Sequence, residues 1–147
     1  MLANPSVSHS AGRAPYALWI VQGLLALVFA FAGSFKLLTP IDLITAQMPV
    51  PLPGAFVQFI GVCETLGAVG LILPGLLRIR PGLTPLAAAG LTIIMTGATL
   101  LTLASGDAVG ALVPLVVGLL AAFVAYGRWQ VAPLRRTSPR SVLEPAS

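Results

Sequence analysis

The chain has 147 residues, of which 57% are hydrophobic and only 8% are charged, with a formal net charge of +4. An ordinary soluble domain has about 25% charged residues. The composition therefore excludes an ordinary soluble domain and indicates an integral membrane protein.

Four apolar segments are each long enough to cross a bilayer as a helix, which takes about 20 residues. They cover residues 16–38, 54–76, 83–104 and 108–127. Backbone polar groups in hydrocarbon must be satisfied internally, so these segments are predicted to be helices. The predicted fold class is all-α, an integral membrane four-helix bundle over residues 15–129. A cytoplasmic tail is expected at residues 1–14, and a flexible cytoplasmic tail containing Arg and Pro at residues 130–147.

The first apolar segment also permits a second interpretation. Arg13, the apolar residues 17–29 and the small residues Ala30 and Ala32 have the pattern of a secretory signal with its cleavage site. The apolar run continues past that site to Leu38, which favours a spanning helix. The intact mass of the purified protein distinguishes the two interpretations.

Residues 39–53 form the longest predicted loop. Thr39 is predicted to be the N-cap of a short helix, with Pro40 at its first position and Asp42 acting as in a capping box. One apolar stripe follows from the spacing of Ile41, Ile44 and Met48. We expect a short interfacial helix on the outer leaflet, serving either as a connector or as a lid over a pocket.

The basic residues predict the orientation of the bundle. Seven of them lie before the first segment, between the second and third, or after the fourth, against Lys36 alone on the other side. The positive-inside rule places the seven in the cytoplasm, so the topology is N-in/C-in. Anionic lipid is their expected counter-charge. We therefore expect no nucleic-acid partner, despite a pI of about 10.3.

Glu64 is the charged residue that lies deepest in the predicted membrane. It stands about 13 Å from the outer boundary at 1.5 Å per residue, where a carboxylate costs about 2.5–3.5 kcal/mol. Gly61 and Ala68, one turn away on either side, place it on a seam that packs against another helix. Lys36 leans into the membrane and Glu64 leans outward, so the two are predicted to pair as the main polar site.

Two alternatives to a functional pair remain open. Lys36 could snorkel to the interface without a partner, and a real pair could serve packing alone. Candidate pocket-lining residues near the pair are Phe29, Phe56, Thr96 and Thr99. Phenyl rings there would suit a flat apolar head group such as a quinone. Phe-rich helix faces also contact lipid or the protein core, and threonines in membrane helices usually bond carbonyls of their own helix. Asp107 is expected to N-cap the fourth helix.

The remaining composition limits the chemistry. A single cysteine, Cys63, excludes an intramolecular disulfide and a Cys-rich metal or iron–sulfur site. A single histidine, His9, excludes haem ligation by paired histidines within the chain. We expect no metal and no intrinsic cofactor, with a quinone as the candidate ligand. No catalytic residue is identified.

Several short pieces of the chain carry a family resemblance. They are Ala32-Gly33-Ser34-Phe35-Lys36-Leu37, Gly61-Val62-Cys63-Glu64-Thr65-Leu66-Gly67, Leu73-Pro74-Gly75 and Gly97-Ala98-Thr99, followed by Gly106-Asp107. In this order and spacing they are similar to the DoxX-like family of small four-helix bacterial membrane proteins. The resemblance covers residues 16–127, and the Arg-rich tail lies outside it.

The resemblance implies a multi-pass protein of the inner (plasma) membrane that is associated with membrane redox chemistry. The family includes membrane subunits linked to thiosulfate:quinone oxidoreduction and to membrane-associated oxidoreductase complexes. Lys36 and Glu64 match its polar positions in the first and second helices. Relatives often carry a histidine near the end of the third helix, where this chain has Thr102, so His-dependent chemistry is not expected.

Two classes of function follow. The first is a membrane subunit of a quinone-linked oxidoreductase system, with the redox centre on a partner protein. The second is a non-enzymatic carrier for a small lipophilic or anionic solute, or an assembly scaffold. Candidate partners are the lipid bilayer, a redox partner protein and a second copy of the chain. Whether the chain is itself an enzyme is left open.

Overall fold

The computed structural model describes residues 13–48, 50–80 and 82–131, and these residues form helices without a strand. The elements are α1 (Arg13–Leu38), α2 (Ile41–Thr45), α3 (Gly54–Leu77), α4 (Leu83–Ala104), α5 (Leu112–Tyr126) and a π-helical turn (Gly127–Val131) that continues α5. Most of the two predicted tails, including His9, lies outside the described residues.

Four of these helices are long and apolar enough to cross a membrane, which confirms that part of the prediction. They are α1, α3, α4 and α5 with its π-helical turn, and their mean hydropathy is between 1.7 and 2.0. Large apolar side chains point away from the bundle: Phe31 is 76% exposed and Ile93 is 74% exposed. Such a surface suits lipid contact.

The four long helices pack as neighbours in chain order. α1 packs on α3, α3 on α4 and α4 on α5, and α5 closes the bundle against α1. Leu25, Phe29, Leu71, Leu91 and Val124 are among the residues of the buried core. We call the end where α1 begins and α5 finishes the terminal end, and the opposite end the α2 end.

Side-chain hydrogen bonds between elements are few. Within the described residues there are three, and each includes α1: Gln22 to Leu71, Lys36 to Glu64, and Arg128 to Gln22. Four hydroxyls of α4 instead donate to carbonyls of α4 itself, those of Thr92, Thr96, Thr99 and Thr102. α4 is therefore joined to its neighbours by packing.

The start of α2 differs from its prediction. Thr39 is not the N-cap: Pro40 holds that position, and no side chain caps the helix. The Thr39 N–H donates to the Phe35 carbonyl at 3.0 Å, so this residue closes the last turn of α1. The helix also ends at Thr45, before Met48, so the predicted three-residue stripe does not lie on one helix.

α5 begins later than predicted, at Leu112 instead of residue 108. Asp107 does accept a hydrogen bond from the Gly110 N–H, at 2.8 Å, but it caps the turn that precedes α5. Pro114 has no N–H for the Gly110 carbonyl. The Val113 N–H bonds that carbonyl at 3.3 Å, and this tighter pattern delays the α-helix.

Candidate functional site

The structure brings Lys36 and Glu64 together. Lys36 Nζ donates to Glu64 Oε2 at 2.7 Å, which is both a salt bridge and a hydrogen bond between α1 and α3. The Glu64 side chain is 3% exposed, whereas the Lys36 side chain is 22% exposed. The carboxylate is thus enclosed, and Lys36 is the more exposed partner of the pair.

Two glycines make this pair possible. A Cβ on Gly33 would lie 2.7 Å from the Gly61 carbonyl oxygen, and a Cβ on Gly61 would lie 3.2 Å from the Gly33 carbonyl oxygen. α1 and α3 therefore cross in close contact at these positions. Glu64 is one turn beyond Gly61, and Lys36 is one turn beyond Gly33, so the crossing places both side chains on the same side.

A cavity of about 430 Å³ lies beside the pair. Its walls are the end of α1, the connection from α2 to α3, and the facing sides of α3 and α4. Most of the lining is apolar, and Lys36 and Glu64 supply its charges. The lining includes Met48, Val50, Leu52, Phe56, Phe59, Ile60, Cys63, Ile94, Ala98, Leu101 and Thr102.

Phe56 is the only one of the four candidate lining residues that lines this cavity in the described structure. Phe29 is 1% exposed and belongs to the buried core at the centre of the bundle. Thr99 is buried and donates to the Met95 carbonyl at 2.7 Å. Thr96 is exposed and donates to the Thr92 carbonyl at 2.8 Å.

The rotation of α4 explains why the two threonines are absent from the cavity. Ile94, Ala98 and Leu101 form its cavity face, at spacings of four and three. With 3.6 residues per turn, Thr96 lies about 200° from Ile94 and from Ala98, on the opposite side of α4. The spacing of the threonines along the sequence does not determine which way they face, so their position away from the cavity could not be predicted.

Phe59, Cys63, Met48 and Thr102 line the cavity but were not among the candidates. Helical spacing could have found part of this set, since Phe56, Ile60 and Cys63 lie on the Glu64 face of α3 at intervals of four and three. Met48 and Thr102 come from other elements, so only the tertiary structure identifies them. Among the described residues, no three His, Cys, Asp or Glu side chains are grouped to hold a metal ion.

The comparison with protein families gives one match. A sequence model of the DoxX-like family matches residues 20–124, which is more than half of the chain. The chain belongs to the DoxX-like family. The matched residues include Lys36 and Glu64, so the pair lies in the part of this DoxX-like protein that corresponds to the family. Comparisons with curated proteins and with solved structures gave no match.

Proposed function

We propose that this DoxX-like protein is the membrane subunit of a quinone-linked oxidoreductase system whose redox centre is on a partner protein. The observation that supports the proposal is the Lys36–Glu64 pair, because it lines an apolar cavity instead of being sealed in the core. An intramembrane charged residue that reaches a cavity is by default a candidate for function.

The cavity has the size and lining that a quinone head group needs. Its volume of about 430 Å³ lies within the range of small-molecule sites, about 300–1,000 Å³. Phe56 and Phe59 offer ring surfaces to a flat apolar ligand. The Lys36 side chain is partly exposed, and its ammonium is a donor for a carbonyl oxygen of the ligand.

The pair also suits the proton chemistry of a quinone. Reduction of a quinone to a quinol takes two electrons and two protons, and in this proposal both electrons come from the partner protein. Lys36 Nζ donates a hydrogen bond to one quinone oxygen and can pass one proton to it, while the second proton enters from water. Glu64 holds the ammonium in position. After reduction Lys36 regains its proton from water, and when the reaction runs toward the quinone the neutral Lys36 amine takes that proton back from the quinol.

The proposal includes an orientation and a location. The asymmetry of the basic residues favours N-in/C-in topology in the inner membrane of a bacterium. The α2 end then faces outward, with α2 at the outer interface and the cavity in the outer half of the bilayer. Met48, Val50 and Leu52 lie on the cavity, which favours the lid over a simple connector.

Quinone retention after purification in mild detergent tests the proposal. We expect the wild-type protein to retain about one quinone per chain, extracted with solvent and identified by mass spectrometry. Lys36→Met combined with Glu64→Gln should lose most of that quinone. Phe56→Ala should lose part of it, and Phe31→Ala is the matched control because Phe31 is exposed and does not line the cavity.

Two results would contradict the proposal. Equal quinone retention by the wild type and the double variant would remove the pair from quinone binding. Flux of a small solute into liposomes, with no retained quinone and with flux lost in the double variant, would favour the carrier instead.

A further inference from the structure

A second buried polar cluster lies at the terminal end of the bundle. Arg128 Nε donates to Gln22 Oε1 at 2.5 Å, and Gln22 Nε2 donates to the Leu71 carbonyl at 2.6 Å. Arg128 Cζ lies 5.1 Å from the centre of the Trp19 ring, within the distance of a cation–π contact. Gln22 and Lys36 are fourteen residues apart on α1, or about 21 Å, so the two polar sites are separate.

The Arg128 guanidinium is buried and lacks a counter-charge within the described residues. Arg128 is 3% exposed, and its Nη2 has no hydrogen-bond partner there. The buried Thr84 hydroxyl, at the start of α4, also has no partner among the residues that the structure describes. The described acids are Asp42, Glu64 and Asp107, and each lies on an element or segment toward the α2 end. A buried charge left unpaired is strongly destabilising.

Close packing of the last turn against α1 fixes the position of Arg128. A Cβ on Gly127 would lie 2.5 Å from Leu18 Cδ2, so the last turn lies directly against α1. The turn is π-helical from Gly127 to Val131, and π-helical turns often occur at functional sites. Close packing at Gly127 therefore directs the next side chain between α1 and its neighbours, over Trp19 and onto Gln22.

An apolar groove begins at the same place. It has a volume of about 600 Å³ and runs along α1 and α3, with Trp19, Ile20, Leu24, Ala26, Ala30 and Ile72 among its lining residues. Trp19 is shared between the groove and the Arg128 cluster. Gly23 also lines the groove, and a Cβ built on it would meet nothing within 4 Å, so the groove is open there.

We propose that the Arg128 cluster and this groove together bind an anionic phospholipid. The phosphate accepts a hydrogen bond from Arg128 Nη2 and supplies the missing negative charge, and one acyl chain lies in the groove over Gly23. Basic pockets between spanning helices are known to favour anionic head groups. The continuous apolar groove favours a phospholipid over a free phosphate ion. Arg128 and Trp19 lie outside the residues that match the family. Because Gln22 and Lys36 are about 21 Å apart along α1, the proposal does not rest on the cavity at Lys36.

Thermal unfolding of the delipidated full-length protein in neutral detergent tests the site. We expect added phosphatidylglycerol to raise the wild-type Tm by about 5 °C. Phosphatidylcholine should raise it less, and inorganic phosphate should leave it unchanged. Arg128→Met should weaken phosphatidylglycerol binding about tenfold or more, because a hydrogen bond to a charged group is lost. Arg128→Lys should recover only part of it.

Two further variants keep the proposal testable if Arg128→Met folds poorly. Gly23→Leu fills the groove without touching the cluster, so it should fold normally and lose the response to phosphatidylglycerol. Arg80→Met removes an exposed arginine at the same end and should respond as the wild type does. A wild-type response to phosphate alone would mean a free anion site, and a normal response in Gly23→Leu would remove the acyl chain from the groove.

One result would show that the counter-charge of Arg128 comes from the protein chain and not from a lipid. Glu144 is the acidic residue outside the described residues. If Glu144→Gln lowered the Tm as much as Arg128→Met, and phosphatidylglycerol changed neither, the counter-charge would belong to the protein and the proposal would be wrong.

Discussion

Gly61 of α3 lies directly against the stem of Lys36 on α1. A Cβ built on Gly61 would lie 2.9 Å from the Lys36 Cβ, closer than side-chain carbons normally approach. The missing side chain at residue 61 is thus what allows Lys36 to cross α3 and reach Glu64 one turn further on. The charged pair therefore depends on the small size of the residue at position 61.

Gly61→Ala is expected to weaken the bundle and displace the pair. The added methyl group meets both the Lys36 stem and the Gly33 carbonyl, and overpacking of this kind costs about 1–3 kcal/mol. We expect a lower Tm in detergent and a lower affinity for any ligand of the cavity.

Gly90→Ala is the matched control for this prediction. It also lies within a spanning helix, but a Cβ there meets nothing within 4 Å. It should leave the Tm unchanged or raise it slightly, because alanine is the better helix former. An equal loss of stability in both variants would mean that close packing at the α1–α3 crossing is not the cause of the loss.

The coupling between Lys36 and Glu64 can be measured with a double-mutant cycle. Glu64→Gln leaves the ammonium without its counter-charge and should lower the free energy of unfolding by about 3 kcal/mol. Lys36→Met should have an effect of similar size. The double variant should recover much of the loss, because neither charge remains to be desolvated. Unfolding of all four proteins in one detergent gives the coupling energy.

Strictly additive losses would contradict this coupling. The Lys36 ammonium would then be stabilised by the membrane interface, and its 2.7 Å contact with Glu64 would contribute nothing to stability. A double variant that unfolds as the wild type does, yet fails to retain quinone, would assign the pair to function.

The predicted orientation is tested by a fusion after Gln130. An alkaline phosphatase fused there should be inactive, and a fluorescent protein should be bright, because N-in/C-in topology keeps this residue in the cytoplasm. Four spanning helices require the same result from a fusion at the N-terminus. An active phosphatase after Gln130 would overturn the topology and place the cavity in the inner half of the bilayer.

Binding to nucleic acid is not expected, although the chain is basic. The purified protein should pass through immobilised duplex DNA at about 150 mM salt, with a soluble basic protein as the positive control. Retention that falls steeply as salt rises would contradict the assignment of these charges to anionic lipid.

Hydropathy predicted the spanning helices well, because the bilayer requires about 20 consecutive apolar residues for each of them. α4 has the predicted bounds, and α3 ends one residue later than predicted. The starts of α2 and α5 were predicted less well, because each depends on which backbone carbonyl a neighbouring N–H reaches. A single residue, such as Thr39 or Pro114, changes that choice without changing the hydropathy.

The pair at Lys36 and Glu64 could be anticipated, since a buried carboxylate needs a partner and the chain offers few. The residues that line the cavity could not be anticipated, because they depend on the rotation of α4 about its own axis. The Arg128 cluster was also missed. From sequence Arg128 was one of several arginines after the last spanning helix, and only the close packing of Gly127 on Leu18 turns it inward.

The hydroxyls of α4 have a mechanical consequence. Since four of these hydroxyls bond their own helix, a displacement of α4 against α3 would break none of the described side-chain hydrogen bonds between helices. α1, by contrast, is fastened to α3 and to the end of α5. The described side-chain hydrogen bonds between helices therefore all lie on the α1 side of the bundle. The cavity lies between α1, α3 and α4, so widening it for a bulkier occupant by a displacement of α4 would cost van der Waals contact and no side-chain hydrogen bond.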